Sequence, residues 1–229
     1  MPILDFVCLA NSRKMGEHCV AGIRTDGAGW IRPVSNSADG ELTTQQCRLS
    51  DGTQPVPLDI VRVEVTQHRP KAHQPENWLV AGTPWELVGK IKPAEAYLQL
   101  QPVLAAGSDL LGNQLDRVSQ ASIAQGPVAA SLALVEPASI QWHVTTNNRG
   151  SKRTRCILRL ASVAYDLAVT DPLIEQRAAG LLIGVHPLTA LGFAAGSRVL
   201  LCVSLGEPFY GDWVHGDCFK LVAGVISVS

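Results

Sequence analysis

The 229-residue sequence has little charge and almost no net charge. Asp, Glu, Lys and Arg make up 17% of it, and the formal net charge is −1 at pH 7. A whole-molecule electrostatic pull toward nucleic acid is therefore excluded, and any polyanion must be met by local patches. No apolar run approaches the roughly 20 residues of a membrane span. The longest, such as residues 199–203, are strand length. Residues 1–11 carry no basic leader ahead of their apolar run and read as a first strand, not a signal peptide. The six cysteines, at 8, 19, 47, 156, 202 and 218, include no C-x-x-C pair. Four of them (Cys8, Cys19, Cys156 and Cys202) lie in apolar strand-like runs, where a free thiol behaves as a small buried hydrophobe. That usage predicts no disulfide and no metal site, and points to a reducing cytoplasm. G-x-S-x-G, H-E-x-x-H, Walker and G-x-G-x-x-G motifs are all absent, so the reading leans away from an enzyme, with no cofactor expected.

What is present is β-rich. Apolar residues are 46% of the chain, enough for a sizeable core. The first half reads as short strands over residues 3–10, 18–24, 29–34, 59–67 and 78–81. A polar turn is expected at 11–16 and a short helix at 41–49. Residues 59–67 alternate well, with Val61, Val63 and Val65 on one face and Ile60, Arg62 and Glu64 on the other. Five strands with a helix after the third suit a small closed barrel. Residues 84–130 are weakly periodic and polar, and read as a partly helical linker that packs between two halves. The second half is again strand-rich, with long β-type runs at 131–145 and 154–169. Asp171-Pro172 follows as the N-cap and first position of a helix. A faint echo links "CVAGI", "LVAG" and "LVAGVI". The expected fold is mainly β with a few short helices: a first barrel at 1–83, the linker at 84–130 and a second barrel at 131–229.

Several strings occur in order across most of the chain: "NSRKMGEHCVAGI", "GWIRPVS", "QPENWLV", "YDLAVTDPLIE" and "LCVSLGEPFYGD". In these the sequence resembles a bacterial family described as dual OB-containing domain proteins. The resemblance implies two OB-like barrels of the oligonucleotide-binding type and a nucleic-acid or nucleotide-binding role. It implies no catalytic residues. The family pattern has a second glycine after Gly16, where this chain has Glu17, an acid that disfavours a phosphate at that turn.

Several groups of residues are candidates for contact. Arg13 and Lys14 stand beside Gly16, where cations and backbone N–H groups can face a phosphate. Trp30 and Arg32, two apart on a strand, share a face. Trp30 is either a base platform or a core residue, and Arg32 either contacts the nucleic-acid backbone or simply ends a strand at the barrel rim. Arg149, Lys152, Arg153, Arg155 and Arg159 form the one strong charge run, with no acid between Gln141 and Ala161. Such a run is either a phosphate-binding patch or a solvated hairpin tip that guards an edge. Phe209, Tyr210 and Trp213 in a glycine-flanked loop form a possible ligand loop, or fold over a barrel mouth. The leading expectation is a non-enzymatic module that binds single-stranded nucleic acid or a nucleotide through basic turns and aromatic stacking. The alternative is a protein-interaction or scaffold subunit with a protein partner. Neither involves a membrane.

Overall fold

A computed structural model describes residues 1–14, 16–147, 150–211 and 214–228, with the side chain of Lys14 outside the description. Among the described residues, no helix is long and apolar enough to cross a membrane.

The first sheet contains β1 (Ile3–Lys14), β2 (Glu17–Arg24), β3 (Trp30–Val34), β4 (Asp59–His68), β5 (Asn77–Val80) and β6 (Glu86–Lys90). Its order is β1-β2-β3-β5-β4, and β4 pairs back onto β1, which closes a five-stranded barrel. The β3–β5 pair is parallel and the other barrel pairs are antiparallel. This is a small Greek-key barrel of the OB kind. The alternation of β4 turns Val61, Val63 and Val65 into the barrel, with Phe6, Cys8, Ile31 and Trp85. Pairing continues past position 83, since β6 hydrogen-bonds to β4.

Next come α1 (Pro93–Leu100), β7 (Arg117–Val118) and α2 (Gln120–Ala124). The second sheet then adds β8 (Leu132–Val135), β9 (Ser139–Thr146), β10 (Lys152–Leu160), β11 (Val163–Val169), α3 (Pro172–Ala178), β12 (Gly184–Pro187), β13 (Val199–Gly211) and β14 (Val214–Ser227). Its order is β12-β9-β10-β11-β14-β13-β8, with β7 also on β14. Within it, β9-β10-β11-β14-β13 repeats the order of the first barrel, again with a parallel pair in the same place. Two of the echoed strings fall on equivalent strands. "LVAG" begins on β5 and "LVAGVI" lies on β14, each the parallel partner in its array. Asp171 caps α3 as expected, its Oδ1 accepting from the N–H groups of Leu173 and Ile174.

Two local expectations fail. Residues 41–49 form turns and isolated bridges, not a helix. Leu42, Cys47 and Leu49 are buried in the barrel core, and an irregular path delivers all three there better than one helical face. Residues 11–14 are strand and not turn, pairing Asn11–Val20 through Lys14–Glu17.

A further apolar cluster joins the sheets. Val7, Leu9 and Ala10 of β1 meet Leu132, Leu134, Leu200, Cys202, Ala223 and Ile226, and α1 adds Ala96 and Leu100. This explains why residues 3–10 and 199–205 are apolar without alternation. In β1, Phe6 and Cys8 face the barrel while Val7 and Leu9 face the second sheet. In β13, Leu201 and Val203 face one core and Leu200 and Cys202 the other. A strand covered on both faces has no polar side to display.

Candidate functional site

Arginines from different sheets meet across one cleft. The backbone N–H of Arg13, near the end of β1, donates to Thr170 O at 2.9 Å, which ties the first barrel's strand to the loop before α3. On β10, Arg153 and Arg155 share a face, while Thr154 between them is buried. Arg13, Arg153 and Arg155 line a cleft of about 640 Å³ with Thr145, Thr146, Thr170 and Glu175. Among the described residues, Arg13 and Arg153 have no ion pair and no side-chain hydrogen bond. Burial raises the Glu175 carboxyl above its ordinary value, against the opposing pull of Arg153 and Arg13.

The cleft continues in two directions. A second chamber of about 360 Å³ shares Arg13 and Thr170, and adds Ser12, Cys19, Arg32, Gln74, Ser204 and Phe209. A third, of about 510 Å³, shares Arg155 and Ala168 with the first and Glu207 and Phe209 with the second. Together they make one groove, the first two chambers along the junction of the sheets and the third on the second sheet. Its acids are mostly engaged. Asp166 Oδ1 accepts from Arg155 Nε at 2.7 Å. Glu207 pairs with His73 at 2.8 Å and with Lys71 at 3.3 Å.

The residues singled out in the sequence separate accordingly. Arg13, Arg32, Arg153, Arg155 and Phe209 line the groove. Lys152 does not. Its Nζ donates to Ala179 O at 3.0 Å and Leu181 O at 2.7 Å, which satisfies carbonyls at the end of α3. Arg159 donates to Ser162 O within its own hairpin. Tyr210 is 68% exposed and outside the chambers. Lys14's side chain, Arg149 and Trp213 lie outside the described residues. Trp30 is half-buried and packs on the cluster between the sheets, away from the groove. Trp30→Ala is accordingly expected to lower stability by about 2–3 kcal/mol, below the full cost for a wholly buried Trp, while leaving affinity for any groove ligand unchanged. A thermal melt and a binding titration of the same sample check both parts.

Arg32 is the residue whose surroundings the sequence does not announce. It is only 3% exposed. Nη2 donates to Ser131 Oγ at 2.9 Å and Ser204 Oγ at 3.2 Å, and Nη1 reaches Cys19 Sγ at 3.4 Å. Ser131 Oγ in turn donates to Glu76 Oε2 at 2.7 Å. The guanidinium thus reaches from the first barrel to two serines of the second half. Lys220 is likewise hidden from sequence reasoning, in the apolar run of β14. It is 1% exposed, and Nζ donates to Asn113 O, Asn113 Oδ1 and Leu115 O. Burial pushes its ammonium down to about 8. With all three N–H directions occupied, Lys220 anchors the loop before β7. Among the described residues, no cluster of His, Cys, Asp or Glu is arranged to hold a metal.

A model of the dual OB-containing domain matches residues 4–225. No curated protein matches the chain. Among solved structures, the tetrameric p202 HIN2 aligns over 100% of this chain and 92% of that one, at 9% identity and a TM-score of 0.30. A likeness that slight carries no argument. The match to the family model spans both sheets and the segment between them, and the chain belongs to the dual OB-containing domain family.

Proposed function

We propose that this chain binds single-stranded nucleic acid in the groove between its two sheets, with Arg13 and Arg153 on phosphates and Phe209 as a stacking surface. One observation carries the reading: two arginines with no carboxylate in ion-pair distance among the described residues, brought from separate sheets to a single cleft. Arginine without a hydrogen-bonded carboxylate, beside polar threonines, suits phosphate better than it suits an apolar ligand. Phe209 is 51% exposed and braced edge-on by Phe219 at 5.9 Å, an arrangement that leaves a face for a base. The near-zero net charge fits modest affinity carried by a few local contacts.

The test is a fluorescence anisotropy titration of labelled single strands at several salt concentrations. Arg13→Ala/Arg153→Ala is expected to weaken binding at every sequence tried. The slope of log K against log salt should flatten by about 0.7 for each phosphate that the variant no longer neutralises. Lys152→Ala should leave binding intact, because its ammonium is committed to α3. A wild-type protein without salt-dependent binding to any oligonucleotide overturns the reading. A protein-interaction role is the second reading. It is favoured by the edge strand β12 and the residues before it, where Leu182 is 80%, Ile183 64% and Val185 53% exposed.

A further inference from the structure

We propose that the chamber of about 360 Å³ around Arg32 is a subsite for a nucleotide bearing a terminal phosphate. The proposal rests on the groove reading and adds what the groove selects: a strand end carrying a phosphomonoester.

The chamber is a built polar site. Ser12, Arg32, Gln74 and Ser204 all line it, and each is at most 6% exposed. Among the described residues, no carboxylate lies within ion-pair distance of Arg32, and its Nε has no hydrogen-bond partner. The Glu76 carboxylate is reached only through the Ser131 hydroxyl. A buried guanidinium kept short of one acceptor gains from an anion that enters beside it. Cys19 and Ser204, which touch the guanidinium, are themselves in the chamber wall, so the charged end lies at that wall.

The charge count selects the anion. Among the described residues, Arg13 and Arg32 are the cations lining this chamber. A phosphomonoester carries close to two negative charges at neutral pH, whereas an internal phosphodiester carries one. Two guanidiniums match the first. Asp39 and Glu207 also line the chamber, Glu207 paired with Lys71 and His73, and among the described residues no further cation lines it to meet the added charge of a di- or triphosphate. The volume is at the small end of ligand sites and fits one nucleotide, and Phe209 at the wall offers a surface for its base.

The source of the nucleotide is tested with four probes on wild-type protein: a short single strand with terminal hydroxyls only, the same strand with a terminal phosphate at either end, a free nucleoside monophosphate, and the matching triphosphate. Terminal phosphorylation is expected to raise affinity about tenfold or more, and the triphosphate should bind more weakly than the monophosphate. Phe209→Ala should reduce the preference. Arg32→Gln, with its melting temperature recorded, should abolish it. Cys19 supplies a readout independent of variants, because it is half-buried while the other five cysteines are buried. The monophosphate and the phosphorylated strand should slow its alkylation, and the hydroxyl strand should not. Equal affinity for both strands, with no Cys19 protection by either phosphate probe, overturns the subsite and leaves the groove reading standing. Monophosphate binding without any strand binding keeps the subsite and overturns the groove.

Discussion

Gly224→Val is expected to cost about 3 kcal/mol or more of folding free energy and to lower the melting temperature by about 6–12 °C. Gly224 lies on β14 where that strand crosses β1. A Cβ at this position would stand 2.2 Å from Leu9 O and 3.2 Å from Ala10 Cα. Both atoms are backbone, and β1 is held by pairing on either side, to β2 and to β4. The overlap therefore has no side chain to push away. It must open the apolar cluster of Leu9, Ala10, Leu200 and Ala223 that joins the sheets. Gly180→Ala is the control. Its Cβ meets nothing within 4 Å, and the melt should be close to wild type. The same distortion moves Arg13 relative to Arg153, so any Gly224 variant that folds should also bind nucleic acid more weakly.

Raising the pH above 9 is expected to destabilise the protein steeply, with the loss traced to its buried thiols. Burial raises the thiols of Cys8, Cys156 and Cys202 well above their ordinary value of 9.0, and Cys202 reaches about 12. The sign follows from linkage. Below pH 9 the thiols are neutral in both states and the stability is complete. Above it the unfolded chain ionises while the folded chain does not, and stability falls until the folded thiols ionise too. Each of these three costs on the order of 1 kcal/mol by pH 10. Together they take away roughly 3–4 kcal/mol from a total on the order of 5–15 kcal/mol. Cys47 and Cys218, both pushed up to about 12, act in the same direction. Lys220 acts against them: its lowered value means that deprotonation from about pH 8 favours the folded state. It offsets part of the loss from the five thiols. Urea melts at pH 8 and pH 10 measure the difference, and Cys→Ala at positions 8, 156 and 202 should flatten the pH dependence. A stability that is level across that range would show these thiols to be accessible.

The fold is legible in the sequence where the signal is local. The alternation of residues 59–67 becomes β4, and Asp171-Pro172 becomes a helix cap, because both depend on neighbours in the chain. The parallel β3–β5 and β11–β14 pairs join strands far apart in sequence, and only their assembly shows that one order is used twice. Residues 41–49 mislead because helical propensity is outweighed by the burial of Leu42, Cys47 and Leu49. The candidate site is legible in parts. Arg13 and the basic run at 149–159 stand out from a chain with little charge. That Arg13, Arg153 and Thr170 meet is not legible, since only tertiary packing joins them. Charge alone also does not separate Arg153, which faces the cleft, from Lys152, spent on the carbonyls after α3. A serine within an apolar strand, Ser204, is the one local trace of the partner that Arg32 needs.

The central claim is that a single strand lies between the two sheets. Photo-crosslinking tests it most directly, using oligonucleotides with a photoreactive base at successive positions and mapping the adducts by mass spectrometry. Adducts are expected in peptides from both walls of the groove, the end of β1 around Arg13 on one side and residues 145–147, 153–155 and Phe209 on the other. All should disappear at high salt. Adducts confined to one sheet, or located on surfaces away from Arg13 and Arg153, would contradict the account.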